Sequence, residues 1–322
     1  MRLLLLLCLL LTACAAQSPP PGPPVAAEAE RLVRAGVRGA VVHVRQGERV
    51  WEAAAGTADG TRPLRTGHRF RIASVTKTFT AALVLQQVAE GRLALTDRVE
   101  SLLPGVIATE ATVAGLLSHT SGIGDYLTDA RFTDELDDDG HLRPWPPRRL
   151  LKYAGKGEGY SNSNYILLGM ILEKVSGLPY RELLRARITG PHALNATEYP
   201  AETLPAGLAH GVHDDGSPGS TRIHPSLLFA AGGVVSTAAD VARFYATLFG
   251  SPAGSELRAG NHGVFTEKLD CGTTVATHSG MLLGYGGAAM ATEDGEKVVV
   301  VQVSSTRPGE AIAAAGRLMC GL

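Results

Sequence analysis

Apolar residues near both ends of the chain follow the pattern of β-strands. The run from Val41 to Trp51 is rich in β-branched residues and is interrupted by Gln46-Gly47, which predicts a β-hairpin with its turn at those two residues. Towards the other end, Thr273 to Thr277 and Val298 to Val303 predict two further strands, the second after a turn at Asp294-Gly295. Between the hairpin and about Thr273 the pattern predicts no strand.

The middle of the chain has helical spacing instead. From Ser74 to Glu90 apolar residues recur every three to four positions, and Gly91 is a residue type that commonly ends a helix. The same spacing predicts helices at Tyr165 to Val175, Ala239 to Phe249 and, closing the chain, Ala311 to Leu318.

These elements together predict an α+β fold. Strands from the two chain ends, about residues 37–72 and 262–322, would form one antiparallel sheet flanked by helices. A mostly helical insertion would occupy about residues 73–261. The mature chain is long enough for one large domain or for two lobes that share a cleft, and we expect a monomer.

The start of the chain indicates export. Arg2 and the apolar run Leu3 to Leu11 form the charged and apolar parts of a secretory signal, and the run is shorter than the roughly 20 residues of a membrane-spanning helix. Leu11-Thr12-Ala13-Cys14 resembles a bacterial lipobox, which predicts a lipidated Cys14. An ordinary signal peptide cut near Ala16 is the alternative.

The chain therefore divides into three predicted parts. Residues 1–14 are the lipoprotein-type signal and lipobox, residues 15–26 a proline-rich tether, and residues 27–322 the folded domain. This places the protein on the outer face of the cytoplasmic membrane, held by an N-terminal lipid anchor, or fully secreted if Cys14 is not lipidated. The formal net charge of -1 gives no indication of a nucleic acid partner.

Ser74-Val75-Thr76-Lys77 contains a candidate nucleophile at the start of a predicted helix. Residues at i and i+3 share a helix face, so the Ser74 hydroxyl and the Lys77 amine would be neighbours. Burial would lower the pKa of Lys77 and make its neutral amine available as a general base. In the alternative interpretation, Ser74 caps the helix and Lys77 is a solvated helix residue.

Two later segments carry further candidate groups. Tyr160-Ser161-Asn162 follows a glycine-rich loop and offers a phenol for proton transfer and a carboxamide for binding a substrate amide. His278-Ser279-Gly280 follows a predicted strand, where a glycine lets a ligand approach the backbone closely. The alternatives are a turn aromatic for Tyr160, a helix cap for Asn162 and a core histidine for His278.

In this order the three elements resemble the active-site signature of the serine β-lactamase-like and penicillin-binding family. That signature is Ser-x-x-Lys, then Tyr-x-Asn, then His-x-Gly in place of Lys-Thr-Gly. These variants are typical of the class C β-lactamase and actinobacterial D-alanyl-D-alanine carboxypeptidase branch. Leu116 to Ile123 and Ala230 to Asp240 are similar to two further family segments. The resemblance implies the β-lactamase/transpeptidase-like fold, with an α/β and an all-α lobe.

The resemblance also implies a role for each site residue. Ser74 would be the acylated nucleophile, Lys77 its base, and Tyr160 the group that passes a proton to the leaving amine. The substrate-binding groups would be Asn162, His278, Ser279, Gly280 and, as the oxyanion hole, the backbone amides of Ser74 and Met281. The chemistry needs no cofactor and no metal. Its substrate would be a small molecule or a peptide, such as a peptidoglycan stem peptide or a β-lactam.

The cysteines are consistent with an extracellular domain. Removal of Cys8 with the signal and lipidation of Cys14 leave Cys271 and Cys320 as a pair, which would form a disulfide in an oxidising environment. Some actinobacterial carboxypeptidases of the family have a similar pair. Two buried free thiols are the alternative.

One departure from the family concerns the substrate. In the actinobacterial carboxypeptidases an Arg shortly before the first paired Cys binds the terminal carboxylate, but Val264 to Cys271 contains no Arg. Lys268 is the candidate replacement, although it offers a point charge instead of a bidentate fork.

Three functions are compatible with these features. A D-alanyl-D-alanine carboxypeptidase-like peptidase is favoured. A β-lactamase or esterase with the same Ser74 chemistry is the alternative, and a non-catalytic penicillin-binding or sensor module is the third.

Overall fold

Both ends of the chain contribute strands to one six-stranded antiparallel sheet. The described residues contain eight strands in all: β1 (Gly39–Gln46), β2 (Arg49–Gly56), β3 (Phe70–Arg71), β4 (Val235–Ser236), β5 (Phe265–Lys268), β6 (Thr274–Leu282), β7 (Tyr285–Thr292) and β8 (Lys297–Val303). The order across the main sheet is β2-β1-β8-β7-β6-β5, and β3 and β4 form a separate pair. The pairing of β1 with β8 joins the two chain ends, which confirms the predicted α+β architecture.

The computed structural model describes residues 22–136, 140–200, 202–212, 219, 223–305 and 307–322. The predicted signal, the lipobox with Cys14 and most of the proline-rich tether lie outside these residues. Within the described part of the chain, no helix is long and apolar enough to cross a membrane.

Helices flank the sheet and fill the insertion. The α-helices are α1 (Val25–Arg34), α2 (Thr76–Ala89), α3 (Val99–Leu102), α4 (Val113–Leu117), α5 (Ala130–Glu135), α6 (Pro147–Leu150), α7 (Asn162–Ser176), α8 (Tyr180–Leu184), α9 (Phe229–Gly232), α10 (Ala238–Phe249), α11 (Pro252–Gly260) and α12 (Pro308–Cys320). Short 3₁₀ helices lie at Ala73–Val75, Tyr126–Thr128, Gly140–Leu142, Leu151–Tyr153 and Pro225–Leu227, and a π-helix at Arg185–Thr189.

Strand β8 is buried on both faces, which explains the apolar run from Val298 to Val301 in its sequence. Val299 and Val301 pack with α1 and α12 on one face, whereas Val298 and Val300 belong to the larger core shared with the helical insertion. Successive side chains of a strand point to opposite faces, so a strand covered on both sides favours consecutive apolar residues over an alternating pattern.

Strand β6 carries the third predicted motif and lies next to the edge of the sheet. Its outer neighbour β5 pairs only with the first part of β6, from Phe265 opposite Thr277 to Lys268 opposite Thr274. The remainder of β6, from His278 to Leu282, pairs with β7 on the inner side. Among the described residues no strand covers the outer side of that remainder.

The structure differs from the predicted elements in several places. The hairpin turn is Gly47-Glu48, one residue later than predicted, with Gly47 at a positive φ of 57°. Strands β3, β4 and β5 precede Thr273, where no strand was predicted, because strands of two to four residues are too short to show a period.

Two predicted boundaries also differ. Val25 and Ala26, assigned to the tether, begin helix α1, since the helix starts directly after Pro24. Helix α10 lies within the range assigned to the helical lobe but packs on β1, β7 and β8.

Candidate active site

Ser74 lies in the 3₁₀ turn that leads into α2, held against strand β6. The preceding residue, Ala73, has a φ of 48°, in the left-handed region that L-residues seldom adopt. Gly280 of β6 lies so close to this turn that a Cβ atom there would be 2.3 Å from the Ile72 carbonyl oxygen. Only glycine lets β6 and the Ser74 turn meet this closely.

Lys77 is completely buried one helical turn after Ser74. Its Nζ atom donates to Ser74 Oγ at 3.1 Å, to Asn162 Oδ1 at 2.7 Å and to the Ala231 carbonyl oxygen at 2.7 Å. Burial lowers the pKa of Lys77 to about 7, while the carboxylate of Asp125 acts in the opposite direction. Near neutral pH, a large share of Lys77 is therefore an uncharged amine that can accept a proton.

The Tyr160 hydroxyl donates to Ser74 Oγ at 2.9 Å, so Ser74 is contacted by both the amine and the phenol. Lys77 Nζ lies 4.9 Å from the centre of the Tyr160 ring. The side chain as a whole is 41% exposed, yet the buried groups around its hydroxyl desolvate it and raise the pKa of Tyr160 above its ordinary value. The resting phenol thus keeps its proton.

Asn162 begins helix α7 and connects Lys77 to a carboxylate. Its Oδ1 accepts from Lys77, and its Nδ2 donates to Asp125 Oδ2 at 2.7 Å. Its position fixes the orientation of its amide: the oxygen faces the lysine and the nitrogen faces the aspartate. The next residue back, Ser161, donates its backbone N–H to His119 Nδ1 at 3.1 Å.

His278 forms a buried wall of the site and makes no hydrogen bond to Ser74, Lys77 or Tyr160. Its Nδ1 donates to the carbonyl oxygen of Ser279 at 2.7 Å, and its ring centre lies 6.5 Å from that of Tyr160. Burial, together with the charge of Lys77, lowers the pKa of His278 to about 3, so the ring is neutral.

The other third-motif residues follow from strand geometry. Alternation along β6 places Ser279 on the face opposite to His278 and Gly280. Met281 is 62% exposed, at the uncovered part of the strand.

Lys268 does not reach this wall. It pairs with Thr274, four residues before His278, which is about 13 Å along the strand at roughly 3.3 Å per residue. The β5 residue beside His278 is instead Phe265, whose ring centre lies 5.4 Å from that of the histidine. The register of β5 therefore argues against Lys268 as the replacement for the missing Arg.

Sequence patterns missed three contributors to the site. Ala231 supplies a carbonyl to Lys77, His119 stacks on Tyr160 with ring centres 4.3 Å apart, and Asp125 binds Asn162. Two of them lie in segments noted for their family resemblance, which was the available signal. Asp125 had none, because only the folding of the chain brings it to Asn162.

The structure places the sulfur atoms of the predicted pair Cys271 and Cys320 at bonding distance, with the Cα atoms 5.7 Å apart. Cys271 lies in the turn between β5 and β6, and Cys320 is the last residue of α12. A disulfide at this position would connect the turn that precedes the His278 strand to the helix packed behind the sheet.

Similarity to known proteins extends over nearly the whole described chain. The family profile described as Beta-lactamase matches residues 25–319. A crystal structure of a D-stereospecific amidohydrolase from Streptomyces sp. matches with a TM-score of 0.78 at 30% identity, covering 90% of this chain and 96% of that one. This confirms the predicted β-lactamase/transpeptidase-like fold.

Curated relatives match over shorter stretches. Penicillin-binding protein 4* of Bacillus subtilis (strain 168) is 31% identical over 190 residues, covering 53% of this chain and 40% of the relative. Esterase EstB of Burkholderia gladioli is 32% identical over 212 residues, covering 59% and 53%. The chain thus spans about half the length of these relatives. The names of these relatives refer to different kinds of substrate, so similarity alone does not identify the substrate of this chain.

Proposed function

This chain belongs to the beta-lactamase family and is a serine hydrolase of that fold; we propose that it cleaves amide bonds in D-amino acid amides or short peptides through an acyl-enzyme on Ser74. The observation that carries the proposal is the pair of hydrogen bonds on Ser74 Oγ, from Lys77 Nζ at 3.1 Å and from Tyr160 OH at 2.9 Å. A serine held between a base and a proton donor is suited to nucleophilic catalysis.

In the acylation step, Ser74 Oγ attacks the carbonyl carbon and its proton passes to the neutral amine of Lys77. The carbonyl oxygen becomes an oxyanion, which the backbone amides of Ser74 and Met281 would stabilise. When the C–N bond breaks, the leaving nitrogen receives the Tyr160 proton, and Tyr160 recovers a proton from Lys77. The products of this step are the Ser74 ester and a free amine.

In the deacylation step, water attacks the ester carbon and gives its proton to the same pair of groups. The C–O bond to Ser74 breaks, and the proton returns to Ser74 Oγ. The carboxylic acid leaves, and the site is restored. A pKa of about 7 suits Lys77 to both directions of transfer, since a general base works best near the operating pH.

Amide substrates are favoured over the alternatives by the similarity to the D-stereospecific amidohydrolase from Streptomyces sp., which extends over 90% of this chain. The D-alanyl-D-alanine carboxypeptidase predicted from the motifs is supported by the relative named as a penicillin-binding protein. It would need a basic group for the terminal carboxylate. Among the described residues, Lys77 is the one lysine or arginine that forms a hydrogen bond with Ser74, Tyr160, Asn162 or His278.

Labelling with a fluorophosphonate probe tests the nucleophile. The purified domain should be labelled once, at Ser74, and Ser74→Ala should abolish both labelling and turnover of a D-amino acid p-nitroanilide. Ser101→Ala, at an exposed serine of α3, is the matched control and should behave as the wild type. Parallel assays with nitrocefin, a p-nitrophenyl ester and a D-alanyl-D-alanine peptide separate the alternatives. Labelling that persists in Ser74→Ala would refute the acyl-enzyme.

A further inference from the structure

Asp125 is a carboxylate at the site that forms no ion pair with any described residue. Its Oδ2 accepts from Asn162 Nδ2 at 2.7 Å, and its Oδ1 accepts from the backbone N–H of Leu127 at 3.1 Å. The side chain is partly exposed. Because each carboxylate oxygen can accept two hydrogen bonds, Asp125 retains capacity for a donor that comes from the cleft.

The basic side chains nearest to Asp125 in the described part of the site form no ion pair with it. Lys77 is buried and its three hydrogen bonds go to Ser74, Asn162 and Ala231. The imidazoles of His119 and His278 are neutral, because burial holds their pKa values at about 4 and about 3.

The loop before Tyr160 adds no net charge. It carries two exposed side chains of opposite sign, Lys156 and Glu158. A substrate that enters the described part of the cleft therefore meets a negative charge next to Asn162.

Asn162 is on the side of the site where the acyl half of the substrate is expected. The α-nitrogen of an acyl donor lies two bonds, about 2.5 Å, from the carbonyl carbon that Ser74 attacks. Asn162 Oδ1 is already occupied by Lys77, so a donor group on the substrate finds its acceptor at Asp125. A carbonyl oxygen at the same place would instead be repelled by the carboxylate.

The side of the site that would hold the leaving group is apolar, in contrast to the anionic side at Asp125. Phe265, 45% exposed, flanks His278 where a cation would be needed for a terminal carboxylate, and Lys268 is about 13 Å further along the strand at roughly 3.3 Å per residue. The described residues thus provide an anion for the acyl half and an apolar ring for the leaving half.

We propose that Asp125 selects acyl donors with a free α-ammonium group, so that the enzyme releases an N-terminal amino acid residue from an amide or peptide. This inference rests on the proposed acyl-enzyme at Ser74. It assigns the substrate class: an unblocked amino acid amide or peptide with a neutral leaving group, in preference to an N-acylated D-alanyl-D-alanine.

The test compares D-alanine p-nitroanilide with N-acetyl-D-alanine p-nitroanilide in the wild type and in Asp125→Asn. The asparagine can still accept from Asn162, so the variant removes the charge while it preserves a hydrogen bond. We expect the wild type to favour the free amine in kcat/KM, and the variant to reduce that preference about 10- to 100-fold, the size of a lost charge-assisted hydrogen bond. The ratio of two substrates cancels any effect on Lys77.

Glu158→Gln is the matched control, because it removes an exposed charge from the loop next to Tyr160. It should leave the preference unchanged. The proposal is overturned if Glu158→Gln has the same effect as Asp125→Asn, if Asp125→Asn keeps the wild-type ratio, or if the N-acetylated substrate is preferred. In each of these cases fluorophosphonate labelling of Ser74 still reports on the acyl-enzyme, so the two proposals fail separately.

Discussion

The imidazole of His119 stacks on the phenol ring of Tyr160, with ring centres 4.3 Å apart and planes inclined by 26°. The same imidazole accepts the backbone N–H of Ser161, the residue that follows Tyr160. His119 therefore holds the tyrosine by its ring and by its backbone. It does so from a left-handed backbone conformation, with a φ of 61°.

His119→Asn should lower kcat for a small ester about tenfold with little change in KM. A tenfold effect corresponds to the upper end of the about 0.5–1.5 kcal/mol that an aromatic pair contributes. Asparagine tolerates a positive φ and can accept from Ser161, so the variant removes the stacking alone. His119→Ala should lose activity and also melt at a lower temperature. An asparagine variant with the wild-type kcat would contradict a positioning role.

The pH dependence of kcat/KM for an uncharged ester should have an acid limb near pH 7. Lys77 must be neutral to accept a proton, and its pKa is about 7, so activity should fall tenfold per unit below that pH. Asp125 raises the pKa of Lys77, so Asp125→Asn should move the limb to lower pH. A limb that moves upward, or does not move, would exclude this coupling.

Gly280→Ala should lower kcat/KM about 100-fold, the effect of a shift of about 1 Å at a reacting centre. The new Cβ would lie 2.3 Å from the Ile72 carbonyl oxygen and force β6 away from the Ser74 turn. Gly316→Ala is the control, since nothing lies within 4 Å of its Cβ position in α12. The control should keep full activity and gain about 0.5–1 kcal/mol of stability.

A double Cys271→Ser/Cys320→Ser variant should lose about 4 kcal/mol of unfolding free energy, as expected for a loop closed over a separation of 49 residues. Chemical denaturation of the oxidised wild type and the variant measures the difference. Mass spectrometry without reduction should show the wild type two hydrogens lighter than the reduced protein. Reaction of the folded wild type with a thiol reagent at both cysteines would refute the bond.

Cys14→Ser should abolish incorporation of a fatty-acid analogue in a bacterial host and release the protein from the membrane fraction. We propose the lipid anchor on the lipobox alone, since these residues lie outside those described. Labelling that persists in the variant would refute it.

Elements with a sustained local pattern were predictable. The spacing of Ser74 to Glu90 predicted α2, and the i,i+3 rule put Ser74 and Lys77 on one face, where they lie 3.1 Å apart. The β-branched run to Val303 predicted β8 for the same reason. In these cases the residues that define the element are neighbours in the sequence.

Contacts between distant segments could not be predicted in this way. The Lys77 to Ala231 hydrogen bond joins residues 154 positions apart, and it uses a backbone carbonyl that any residue would offer. The hydrogen bond between Asp125 and Asn162 joins residues 37 positions apart, and it forms only because the intervening chain folds back before α7. All four residues of strand β5 are exposed, so the strand needs no alternation of apolar and polar residues, and its sequence carries no such pattern from which it could be predicted.

The shortness of β5 has a consequence for how the protein behaves among other chains. A bare sheet edge is a template on which foreign strands can pair, and long ones promote aggregation. Here β5 protects β6 as far as Thr277 and leaves only His278 to Leu282 open. That opening is five residues long, which is enough for a short extended segment and too short to pair with a long strand, so β5 limits the edge on which other chains could add.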